Sequence, residues 1–262
     1  MARILAISSH VVRGRVGLGA TVPALEHLGH EVWALPTVLV ASRAGLGRTE
    51  SHEVPADYLV AALSALEADG CWEGLEAVFT GYFPSAESVG AAARAIGAIR
   101  AQRPGIDVLV DPVLGDADRL YVRPAAAAAI RDLLLPLATI ASPNRFELEW
   151  LSGTRVGNLD QAVVAARALG PPNVLVTSAA ENEASVTTLL ITPSGEVARA
   201  LARRHAIPNG PGDAFAGLFL GRLLAIGSAP AALDLSLSDL DRVLRASEGS
   251  AILRLGALGA PA

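Results

Sequence analysis

Short apolar runs rich in Val, Ile and Leu alternate along the chain with longer stretches in which Ala, Leu and charged residues recur at helical spacing. The first kind predicts strands over Arg3–Ser8, Glu31–Leu35, Leu75–Thr80, Asp107–Val110, Ala138–Ala141 and Asn173–Thr177. The second predicts helices over Gly17–Leu28, Pro55–Asp69, Ser85–Ala101, Pro124–Leu135 and Leu159–Leu169. Strands alternating with helices in this way build a mostly parallel sheet covered by crossover helices. Past Thr177 the rhythm changes. Ser185–Thr192 and Glu196–Leu201 flank the turn Pro193-Ser194-Gly195 and read as a β-hairpin. Helices follow over Gly212–Ile226 and Leu237–Arg254. No repeat and no linker composition divides the 262 residues, so residues 1–262 are expected to form a single domain.

The most apolar stretch, Pro124 to Ala141, is interrupted by Arg131, Asp132 and Pro136, and the N-terminus lacks the pattern of a secretory signal. A cytoplasmic protein without a membrane segment is the expectation. The single cysteine, Cys71, fits a reducing compartment. A formal charge of −5 without any basic run argues against a nucleic-acid surface. More restrictive is the basic inventory: all 21 basic residues are arginine. Without lysine the chain cannot be a P-loop NTPase, cannot use the strand lysine of a protein kinase, and cannot hold pyridoxal phosphate as an internal Schiff base.

Four segments could carry chemistry. Asn209-Gly210-Pro211-Gly212-Asp213 is a glycine-rich turn feeding an apolar helix, whose first amides suit an anion such as a transferring phosphoryl group. Asp213 could take a proton from an attacking hydroxyl, although an Asp after glycine at a helix start is more often a plain cap. Asn144 and Glu147, in Ser142-Pro143-Asn144-Arg145-Phe146-Glu147, are spaced either to order hydrated Mg²⁺ or to form a capping box. Asp111-Pro112-Val113-Leu114-Gly115-Asp116 follows a predicted strand, and Pro112 holds Asp111 extended past its end. Ser8-Ser9-His10 follows the first strand, while Gly14-Arg15-Val16-Gly17 has the wrong spacing for a dinucleotide fingerprint. The five histidines make no metal-site spacing.

Together these segments resemble the pyridoxal kinases, a branch of the ribokinase-like superfamily. The similarity is carried by Ile4–Gly14 with Val16-Gly17, Gly81-Tyr82, Asp111–Asp116, Ser142–Glu149, Thr177-Ser178 and Gly212-Asp213, in order and over nearly the whole chain. The resemblance implies a three-layer α/β/α sandwich and ATP-dependent phosphorylation of the 5′-hydroxymethyl group of pyridoxal, pyridoxine or pyridoxamine. It implies Asp213 as general base, with Gly210 and Gly212 in the anion hole. Ser9, Val16, Val38 and Tyr82 would line the ring pocket. Asp111, Asp116, Tyr121, Asn144, Glu147, Thr177, Ser178 and Gly212 would serve ATP, and Asp111, Asn144 and Glu147 would surround Mg²⁺. It further implies a homodimer and use of a monovalent cation such as K⁺.

Three features depart from the family pattern. Pro211 removes an N–H from the anion hole. Ala44 stands in a segment where the family places a threonine against the ring, and the lid from Asp116 to Tyr121 is short. The competing readings are a kinase of hydroxymethylpyrimidine or of a sugar, and a non-catalytic pyridoxal-binding protein. The pyrimidine branch typically carries Cys at the position of Asp213.

Overall fold

A computed structural model describes residues 1–43, 45–46, 48–116 and 119–259. Its centre is a nine-stranded sheet. In chain order the strands are β1 (Arg3–Arg13), β2 (Glu31–Ser42), β3 (Ser51–Glu53), β4 (Ala77–Thr80), β5 (Asp107–Val110), β8 (Ile140–Ala141), β9 (Asn173–Glu181), β10 (Ser185–Thr192) and β11 (Gly195–Ala202). A two-stranded ribbon, β6 (Gly115–Asp116) and β7 (Arg119–Leu120), stands apart. The spatial order is β11-β10-β9-β8-β5-β4-β1-β2-β3, parallel from β9 to β2 with antiparallel strands at both edges. The chain leaves β1 toward β2 on one side and returns to β4 on the other. β1 is therefore the point where the strand order reverses, and a crevice opens there at the carboxyl ends of the strands.

Helices cover both faces: α1 (Leu18–His27), α2 (Ala56–Ala68), α3 (Ala86–Gln102), α4 (Pro124–Ala129), α5 (Arg145–Ser152), α6 (Leu159–Ala168), α7 (Pro211–Ile226) and α8 (Ala229–Ser247). Because side chains alternate across a strand, Leu5 and Ile7 face one core with Val78, Val108, Ile96 and Ile130, whereas Ile4 and Ala6 face another with Phe79, Leu109, Phe215 and Phe219. The result is the α/β/α sandwich expected from the alternation. α7 is apolar nearly all round, and its run from Ala214 to Gly221 is wholly buried.

Several boundaries differ from the sequence reading for local reasons. β1 and β2 run well beyond Ser8 and Leu35, because a register shift at Pro36–Leu39 accommodates the proline, which cannot donate to the ladder. β3 is three exposed residues and carries no periodicity that a sequence could reveal. The helix expected over Pro124–Leu135 changes at Ile130 into one wider turn ahead of Pro136. α8 starts eight residues before the expected Leu237, with Ser228 at its cap and Pro230 in its first turn, and ends at Ser247 near Gly249, whose φ is +68°. His30 is structural: Ala2 N–H donates to its Nδ1 (3.2 Å), so its Nε2 carries the proton and donates to the Gly221 carbonyl (3.0 Å). Among the described residues no helix is long and apolar enough to cross a membrane.

Phe219 is fully buried where α7 meets the sheet. Phe219→Ala is expected to cost about 3–5 kcal/mol, read as a lower denaturant midpoint at unchanged slope.

Candidate functional site

A cavity of about 760 Å³ lies over the carboxyl ends of β1, β4, β5, β8 and β9. Of the residues expected at the site, Ser9, Val16, Val38, Tyr82, Asp111, Asp116, Tyr121, Asn144, Glu147, Thr177, Gly210, Gly212 and Asp213 all line it. Ser178 does not. It follows Thr177 in β9 with φ +49°. Ala44 lies outside the described residues.

One wall is the start of α7. Gly210 is its N-cap, with φ +114°, and a Cβ there would collide with the carbonyl oxygen of Arg15. Only glycine allows this approach. Pro211 occupies the first helical position, where a missing N–H costs the helix nothing and the fixed φ favours it. The first intrahelical bond is Ala214 N–H to Gly210 O (3.0 Å), which leaves the Gly212 amide without a helical partner in the first turn, while the Asp213 amide donates to its own carboxylate. Thr21 in α1, fully buried, donates its hydroxyl to the Asp213 carbonyl (3.1 Å) and ties the turn to the β1–α1 loop. The Gly17 amide donates to the Asp213 carboxylate. Burial outweighs these two backbone donors, Gly17 and Asp213 itself, and lifts the Asp213 carboxyl to about 6.

The opposite wall is built from the ends of β5 and β8. Asn144 caps α5: its Oδ1 accepts from Glu147 N–H (2.9 Å), and Glu147 Oε2 accepts from Asn144 N–H (2.8 Å). Glu147 Oε1 also accepts from the amides of Leu114 (2.9 Å) and Gly115 (3.4 Å), while Asn144 Nδ2 donates to Gly115 O (2.8 Å). The capping box is thus realised, and the same two side chains pin the loop after β5. Burial pushes Glu147 up to about 8, against the downward pull of its three N–H donors. Thr177 N–H donates to Pro143 O (2.9 Å) and joins β9 to this wall.

Asp111 sits between the walls, 8% exposed. Burial first, then the charges of Glu147 and Asp213, raise its pKa well above the carboxylate range, and the Ser142 hydroxyl opposes the shift. Five acidic residues, Glu53, Asp111, Asp116, Glu147 and Asp213, line the cavity with one guanidinium, Arg43, among the described residues. A hard cation arriving with a polyphosphate would favour their ionised forms, and carboxylate oxygens are the donors Mg²⁺ takes. The donor set therefore fits Mg²⁺, and Asp111, which Ser142 bonds through its hydroxyl, stands between the two walls.

The sequence reading missed one stretch of wall. Thr49, Ser51 and Glu53 line the cavity from the β3 segment, opposite Val38 and Val40 of β2. All three are polar, so no apolar alternation marks the segment in the sequence.

The phosphomethylpyrimidine kinase family model matches residues 14–248. A pyridoxal kinase from Deinococcus radiodurans is 37% identical over 257 residues, covering 92% of this chain and 85% of that protein. A pyridoxine/pyridoxal/pyridoxamine kinase from Bordetella avium is 37% identical over 240 residues, covering 89% and 81%. The pyridoxal kinase of Leishmania donovani, solved with ADP and pyridoxine, superimposes with a TM-score of 0.88 at 27% identity, covering 97% of this chain and 90% of that one.

A carboxyl raised by its folded environment binds protons that the unfolded chain releases, so stability falls as pH rises from about 3.9, the unfolded value, to about 6. Asp213→Asn is therefore expected to raise the melting temperature of the ligand-free protein at pH 8. The gain shrinks as pH falls through about 6 and is gone below the unfolded carboxyl value; thermal melts across this range check it.

Proposed function

The chain belongs to the pyridoxal kinase family, within the wider group described by the phosphomethylpyrimidine kinase model, and on that premise we propose that it transfers the γ-phosphoryl group of ATP to the 5′-hydroxymethyl group of pyridoxal, pyridoxine or pyridoxamine. The observation that carries this reading is the position of Asp213. It stands in the first turn of α7, on the same cavity as Asp111 and close enough to perturb that carboxyl. A base for the hydroxyl and a site for the phosphates thus share one crevice.

In this reading Asp213, partly desolvated and poised near 6, accepts the proton of the hydroxymethyl group as its oxygen attacks. The amides of Gly212 and Asp213 face the phosphoryl group in transfer, favoured by the helix dipole behind them. Ser9, Val16, Val38 and Tyr82 hold the ring, while Thr177, Asp116 and Tyr121 border the nucleotide. Asp111 would hold Mg²⁺, which when bound neutralises the leaving phosphates, and Asn144 and Glu147 fix the loop that carries Asp111. Family membership supports the remaining assignments, namely a cytoplasmic homodimer that uses K⁺.

ATP consumption with pyridoxal, pyridoxine, pyridoxamine and hydroxymethylpyrimidine tests the reading. Turnover on the B6 vitamers is expected, rising with pH to a plateau above about 6 as Asp213 ionises, and Asp213→Asn is expected to lower kcat by roughly 10²–10⁴. Turnover on the pyrimidine alone would move the chain to the other branch. Vitamer binding without turnover would make it a binding protein.

Pro211 leaves the anion hole one donor short, and a donor aimed at the transition state is worth about 2.7–4 kcal/mol. Pro211→Thr is expected to raise kcat. An unchanged or lower value in a folded variant would show that the amides of Gly212 and Asp213 suffice.

A further inference from the structure

Glu53 is the one carboxylate on the wall formed by β2 and β3 among the described residues. In the ladder it faces Val38, and Ser51 faces Val40, so one surface of the ribbon presents two valines beside two polar groups to the cavity. Its charge reaches the neighbouring Tyr82, whose phenol is raised first by burial and next by Glu53. The carboxylate is also held in place. Arg123, at the cap of α4 and seventy residues away in sequence, forms a two-pronged contact, Nη2 to Oε1 at 2.5 Å and Nη1 to Oε2 at 3.3 Å. Both partners remain solvent-accessible, 61% and 46%, so the pair contributes little to stability and is free to exchange partners.

We propose that Glu53 is a specificity-determining residue that reads the charge of the substituent beside the substrate's hydroxymethyl group and favours a cationic aminomethyl over an aldehyde. The inference rests on the kinase reading above and deepens it. A carboxylate accepts hydrogen bonds and donates none. An aldehyde offers it only a second acceptor, whereas an alkyl amine, protonated at neutral pH, offers charged donors. Among the described residues of that wall the other charged group is Arg43, just past β2, whose cation disfavours an ammonium, so Glu53 is the group there that favours one by charge. Arg123 tunes the effect by sharing the carboxylate, and losing Arg123 leaves Glu53 more negative toward the cavity.

The test is calorimetric binding of pyridoxamine and pyridoxal to the full chain, with wild type, Glu53→Gln and Arg123→Gln compared, and turnover measured separately. The ratio of pyridoxamine to pyridoxal affinity is expected to fall about fivefold in Glu53→Gln, the factor for about 1 kcal/mol, and to rise in Arg123→Gln. A purely structural ion pair would move the ratio alike in both variants, because each breaks it. Shifts in the same direction, or no shift, overturn the proposal. Failure of wild type to bind either vitamer overturns it together with the ring pocket, whereas binding with the expected ratios but without turnover overturns only the kinase reading.

Discussion

The approach of the α7 cap to the loop after β1 is the contact on which the site depends. Gly210 lies against the Arg15 carbonyl, where no side chain could fit, and Gly17, at φ +54°, would carry its Cβ into Ser9. Two glycines 193 positions apart thereby let two backbones meet, and the Gly17 amide and Thr21 hydroxyl can then reach Asp213. Without that approach the carboxylate would be an ordinary helix cap in water. With it, Asp213 is desolvated and basic enough to take a proton near neutral pH.

The cost of this arrangement is concentrated negative charge. Asp111 feels both Glu147 and Asp213, and Glu147 also feels Asp116. The fold carries that strain through backbone donors, three of them on Glu147, because the chain has no lysine and, among the described residues, brings only Arg43 to the cavity. A divalent cation beside such acids would favour their ionised forms.

The sequence made the sheet legible where burial imposed a period. Strands β4, β5, β8 and β9, buried on both faces, appear as apolar runs, and the helices between them follow from their spacing. It was silent where the structure depends on pairing. β3 exists only because Ser51–Glu53 can add to the outer half of β2, and no apolar pattern marks it. The wall bearing Glu53 was invisible for the same reason. At Asn144 and Glu147 the spacing showed that a capping box was possible, but not that Glu147 also reaches the Leu114 and Gly115 amides of another loop.

Pro211 illustrates how one residue answers to two demands. As the first helical residue it is well placed, since its ring pre-sets φ and the helix loses no bond. As a member of an anion hole it is deficient by one donor. The two effects act on different quantities: the ring lowers the entropy of the unfolded chain and stabilises the fold, whereas the missing N–H is felt only when a phosphoryl group is in transit. A turn packed against the Arg15 carbonyl at Gly210 can hold the Gly212 amide more firmly than a looser turn would. Selection for a pre-set geometry at that turn is thus compatible with catalysis, because fixed dipoles that need not reorganise stabilise developing charge more effectively than mobile ones.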